Sequence, residues 1–150
     1  MRLFPLFAAA FAIAAMSGPA AAQDGAQPVR EGKYYGSGEG ELTVDLRHIE
    51  SDIYAISIET VVPIENEMTG CGGGIEGEVI LSSTGGNFFV ENEDYVPGSD
   101  NPMLAEQYCK VELRFDDEGF LILTEEEGCL AYHGASCGFS GTLVHEGAAG

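Results

Sequence analysis

Apolar and polar residues alternate from Glu41 to His48, with Leu42, Val44, Leu46 and His48 on one side and Thr43, Asp45 and Arg47 on the other. A period of two marks a half-buried strand, because successive side chains of an extended chain point to opposite faces. Glu50, Ser51 and Asp52 follow as turn residues, and Tyr54, Ile56 and Ile58 then present a second apolar face. Closing those turn residues as a three-residue loop pairs His48 with Tyr54, Leu46 with Ile56 and Val44 with Ile58. All three pairs fall on one face. A slip of one residue would turn that face to solvent, so burial selects this register.

The second half of the chain carries the same pattern. Val44-Asp45-Leu46-Arg47 recurs as Val111-Glu112-Leu113-Arg114, and Ile53 to Ser57 recurs as Phe120 to Thr124, both 67 residues later. The equivalent loop, Asp117-Glu118-Gly119, pairs Phe115 with Leu121 and Leu113 with Leu123, and Gly119 supplies the positive φ that a bulged three-residue turn requires. Gly74 to Ile80 matches Gly138 to Val144 at an offset of 64, and a cysteine precedes each segment. The reading is a duplicated unit of hairpin, crossing loop, cysteine and third strand. Lys33 to Gly40 and Asn87 to Glu91 are further strand candidates, and no long helix is expected. The predicted fold is a small antiparallel β-barrel or sandwich of about eight strands.

The N-terminus changes the compartment. Arg2, an apolar run from Leu3 to Met16, a Ser17-Gly18-Pro19 break and Ala20-Ala21-Ala22 have the order of a secretory signal, and the run is too short for a membrane span. Cleavage after Ala22 leaves 128 of the 150 residues and, with Arg2 gone, moves the net charge from −19 to −20. Residues 23–32 read as a flexible lead-in, and 33–150 as a single β domain. The expected location is periplasmic or secreted, with no membrane anchor.

In such a compartment four cysteines read as two disulfides, and the long spacings without a C-x-x-C pair argue against zinc. Cys71 and Cys137 precede the third strand of each half, whereas Cys109 and Cys129 map onto Leu42 and Val62 at the open end of the first hairpin. The favoured pairing is Cys109–Cys129 with Cys71–Cys137. Its competitor is Cys129–Cys137 with Cys71–Cys109, since geometry rather than spacing decides a disulfide.

Charge then limits the partners. Nucleic acid binding relies on Lys and Arg, of which there are 6 against 25 Asp and Glu, so a basic protein is the expected partner and nucleic acid is not. In size and charge alone the chain resembles small acidic periplasmic inhibitors of lysozyme, a basic enzyme, and it carries none of their motifs. The loop from Cys129 to Cys137 is the candidate recognition element, with Tyr132 and His133 as its anchors, because aromatic side chains on fixed loops dominate interfaces. Other chemistry finds less support. A serine nucleophile is not expected at Ser136 or Ser140, no carboxylate pair stands out, and the glycine run at 70–74 lacks the P-loop Lys-Ser/Thr. The acidic loop 91–101 offers oxygen ligands for calcium without the EF-hand spacing. The expectation is a binding or inhibitor-like module without a cofactor. A hydrolase or a calcium-dependent activity in the acidic loops is the alternative.

Overall fold

Alternation at these positions builds eight strands in chain order: β1 (Gly32–Gly38), β2 (Glu41–Glu50), β3 (Ile53–Val62), β4 (Cys71–Ile80), β5 (Gly85–Glu91), β6 (Tyr108–Phe115), β7 (Leu121–Glu125) and β8 (Gly141–His145). A computed structural model describes residues 29–65 and 69–148, and among these there is no helix. The signal sequence expected over 1–22 lies outside the described residues. All strands are antiparallel and share one sheet, in the order β4-β3-β2-β1-β8-β7-β6-β5. The sheet curls into a nearly closed barrel rather than a sandwich.

Inward side chains fill the interior, as they must in a barrel this small. Leu42, Val44 and Leu46 from β2 meet Tyr54, Ile56 and Ile58 from β3, and Val111, Leu113, Leu121 and Leu123 do the same in the second half. The registers are those the sequence demands: His48 with Tyr54, Leu46 with Ile56, Val44 with Ile58, Leu113 with Leu123 and Phe115 with Leu121. One detail differs at the first hairpin. Glu50 pairs with Ile53, so the turn is Ser51-Asp52, with Ile49 bulged out of register and Ser51 at φ 49°. A bulge absorbs the odd residue and keeps the same faces inward. The second hairpin has Gly119 at φ 87°, and the Asp116 carboxylate accepts from the amides of Glu118 and Phe120.

The repeat extends into the ladders. Tyr54 pairs with Val79, Ala55 with Glu78 and Ile56 with Gly77, and the residues 67 and 64 positions later pair in the same way: Leu121 with Leu143, Ile122 with Thr142 and Leu123 with Gly141. Two four-stranded meanders, β1 to β4 and β5 to β8, therefore have matching registers. They join by hydrogen bonds where β1 meets β8, but no ladder joins β4 to β5, which are linked by the tight Leu81–Thr84 connection with its Ser82–Gly85 bridge. This seam is where the barrel stays open.

The lead-in is docked over its described end. Val29 packs on the core, Arg30 O accepts from the Tyr34 hydroxyl at 2.8 Å, and Glu31 O accepts from His145 Nε2 at 2.6 Å.

Candidate functional site

The Cys129–Cys137 segment crosses the open seam. On one side it bridges to β4, where Gly73 pairs with His133 and the Gly74 amide donates to Tyr132 O at 3.2 Å. On the other side the Tyr132 hydroxyl donates to Glu91 O at the end of β5, at 2.6 Å. Both ends of the segment are cross-linked: Cys129 to Cys109 on β6 and Cys137 to Cys71 on β4. The competing pairing of Cys129 with Cys137 is thereby overturned, because each of these cysteines faces a strand and not the other. The glycine run has its reason here. A Cβ on Gly73 would sit 2.3 Å from Tyr132 O and 2.4 Å from His133 Cβ, so only glycine lets the segment lie this close to β4.

Within the segment the two candidate anchors part ways. His133 turns inward, with its side chain 4% exposed, and its Nε2 lies 3.0 Å from Glu125 Oε1. Its Nδ1 lies 2.7 Å from Gly134 O, and Phe139 meets the ring edge-on at 5.0 Å. An oxygen therefore faces each of the two ring nitrogens. Glu125 is itself held, accepting from the Phe139 amide through Oε2 at 2.7 Å, while Glu39 accepts from the Gly138 amide at 2.8 Å. His133 thus fixes the segment to β7.

Tyr132 instead lines a groove of about 500 Å³ between this segment and the loop 92–107. Val90, Leu104, Met103 and Ala131 give the groove apolar surface, and Glu91, Glu93 and Asp94 give it an acidic rim. Burial pushes the Tyr132 phenol up, and the carboxylates of Glu93, Asp94 and Glu91 push it further. The loop opposite is self-supporting: Val96 N donates to Leu104 O, and Asn101 and Ser99 side chains accept from backbone amides. Val96, Met103 and Leu130 are large apolar residues left exposed on these two loops.

The remaining histidines serve structure. His48, expected on the packed inner face, sits beyond the core at the exposed end of β2, where it reaches Ser51 O at 2.8 Å and meets Tyr54 edge-on. His145 is buried, with its Nδ1 accepting from Gly147 N and its Nε2 donating to Glu31 O. Ser140 Oγ accepts from the Glu125 amide, and neither nitrogen of His133 is left for a serine, so no nucleophile is assembled around it. Among the described residues no three His, Cys, Asp or Glu side chains converge as a metal site, and the carboxylates of the loop 91–101 do not gather around a point.

Two participants escaped the sequence reading. Asn92 joins the two loops by donating to Glu106 O and Gly128 O, and a lone polar residue in an acidic run carries no signal of that. Glu125 did carry one: at the offset of 67 it occupies the place of Ile58, which is fully buried, so a carboxylate stands where the repeat demands an apolar core residue. The chain matches no protein-family model, no curated protein and no solved structure at the level of significance applied.

Proposed function

We propose that this protein is an exported, inhibitor-like binding module that captures a basic protein partner with the face formed by the Cys129–Cys137 segment and the loop 92–107. The observation that carries the reading is the segment tied down at both ends beside an acid-rimmed apolar groove. A surface already ordered loses little conformational freedom on binding, which favours affinity. The net charge of −19 steers basic proteins toward it. Two disulfides, and the absence among the described residues of a helix long and apolar enough to cross a membrane, are compatible with a periplasmic or extracellular location. Tyr132 belongs to the contact surface on this reading, and His133 positions it from behind.

Pull-down from a periplasmic extract with the disulfide-intact protein as bait tests this. Basic proteins should be retained at low salt and released as ionic strength rises past the physiological range, where the Debye length is about 8 Å. Tyr132→Ala should weaken capture roughly tenfold or more while the protein stays folded. Retention of no basic protein at any salt would overturn the proposal.

A further inference from the structure

The open seam leaves backbone groups of β4 without partners. In an antiparallel ladder every second residue bonds to the neighbouring strand, so half of β4 bonds to β3 and the other half points its N–H and C=O away from it. Gly74 belongs to the outward half, because its amide donates to Tyr132 O across the seam at 3.2 Å. Glu76 and Glu78, two and four residues on, point the same way. Among the described residues no backbone group pairs with either on that side, since the sheet ends at β4 and no ladder joins it to β5. Solvent reaches this stretch, where Glu76, Gly77 and Glu78 are all exposed. Toward the turn the seam closes, with Ile80 O against Gly86. At its other end the chain itself shows that an extended segment fits this edge, for Gly73 and His133 form an antiparallel bridge there.

Charge and shape define what completes the edge. Glu76 and Glu78 carry exposed carboxylates that form no ion pair among the described residues, and Glu59, opposite Gly74 on β3, adds a third exposed carboxylate beside them. A second copy of this chain pairing through the same edge would set these acidic side chains against their own kind, and like charges destabilise cross-strand pairs. Cationic side chains opposite them do the reverse. Between the two glutamates Gly77 presents no side chain, and a Cβ there would lie 3.2 Å from the ring of Phe88, which reaches under the seam from β5. Only a small apolar residue suits that position. We infer that the free edge of β4 is a strand-addition site for an extended segment of a basic protein, with lysine or arginine opposite Glu76 and Glu78 and a small apolar residue opposite Gly77. Main-chain hydrogen bonds hold such a segment and its alternate side chains select it. The inference takes from the proposed function only the basic partner, and it adds a contact outside the groove beside Tyr132.

The test uses the disulfide-intact protein, labelled for nuclear magnetic resonance and titrated at low salt with acetylated, amidated peptides: Thr-Lys-Ala-Lys-Thr, Thr-Glu-Ala-Glu-Thr, and the lysine peptide N-methylated at both lysines. The lysine peptide should shift the backbone amides of Glu76 and Glu78 and slow their hydrogen exchange. The N-methylated peptide keeps its charge but cannot donate to β4, and it should bind roughly tenfold more weakly. The glutamate peptide should not bind. A Glu76→Lys, Glu78→Lys double variant, altered only on the outer face, should reverse the preference between lysine and glutamate peptides. Equal binding of the N-methylated peptide, a preference that does not reverse, shifts centred on the groove beside Tyr132, or no binding at millimolar peptide would overturn the inference. Exchange at Glu76 and Glu78 that slows with protein concentration alone would give the edge to a second copy and overturn it as well. If the double variant captures basic proteins as well as the unaltered protein does, the strand-addition site falls and the binding module stands. If the lysine peptide adds to the edge while the pull-down retains no basic protein, the site stands and the binding module falls.

Discussion

Tyr34 brings a phenol into the wall of the barrel, and burial there pushes its ionisation up from 10.0 to about 12, with Arg30 pulling the other way and Tyr54 adding to the rise. The folded state therefore holds this proton more tightly than the unfolded chain does. Stability from this group is intact below pH 10 and is lost as pH climbs toward 12, because in that interval the unfolded chain has already released the proton that the folded state retains. Urea unfolding followed across that interval should show the decline, and Tyr34→Phe should flatten it despite losing the hydroxyl's bond to Arg30 O. An identical decline in the variant would assign alkaline unfolding to other groups. Single residues were also where the sequence was hardest to read. Tyr132 and His133 are neighbours in the same loop, and nothing in their spacing tells that one ring lines a groove while the other is turned inward onto Glu125. Side-chain direction in a loop depends on what the loop packs against, and here that is β4, some 60 residues earlier, and the end of β7.

Strands were far more legible, because alternation ties each residue's face to its position and burial then fixes the register. The hairpins of β2 with β3 and of β6 with β7 have the predicted pairs, and even the bulge at Ile49 leaves them unchanged. This makes a sharp expectation at the level of the element. Leu46, Ile56, Leu113 and Leu123 are all at most 3% exposed, so truncation of any one to Ala should cost about 2 to 5 kcal/mol. Arg47→Ala and Arg114→Ala, on the outer faces of the same strands, should cost within about 0.5 kcal/mol. Denaturant unfolding of the six variants separates the two sets, and small, equal losses throughout would refute the packing described. What the pattern did not reveal is the seam. By the repeat, β4 should join β5 as β8 joins β1, yet between these consecutive strands the pairing stops at the Ser82–Gly85 bridge of the turn.

At the scale of the whole molecule, the open seam, the disulfides and the candidate site are one construction. A barrel missing one ladder exposes strand edges, which are sites of unwanted pairing unless covered. The Cys129–Cys137 segment caps one end of them, at Gly73 and Gly74 of β4 and Glu91 of β5, and what holds it there is the two disulfides, the His133–Glu125 pair and those contacts. The bonds span 66 and 20 residues, so restriction of the unfolded chain makes them worth about 4 and about 3 kcal/mol by a loop-entropy argument. Their local roles differ more than these figures. Loss of Cys71–Cys137 releases the end of the segment beside His133, whereas loss of Cys109–Cys129 releases the end beside the loop 92–107. The Gly74 amide, which donates to Tyr132 O across the seam, reports on the first of these. In the Cys71→Ser, Cys137→Ser double variant its hydrogen exchange should accelerate toward that of an open loop, while amides of the β2–β3 ladder slow in exchange remain slow. If Gly74 keeps its protection until the whole barrel unfolds, the segment is held by packing alone, and the disulfides are then not what orders this face.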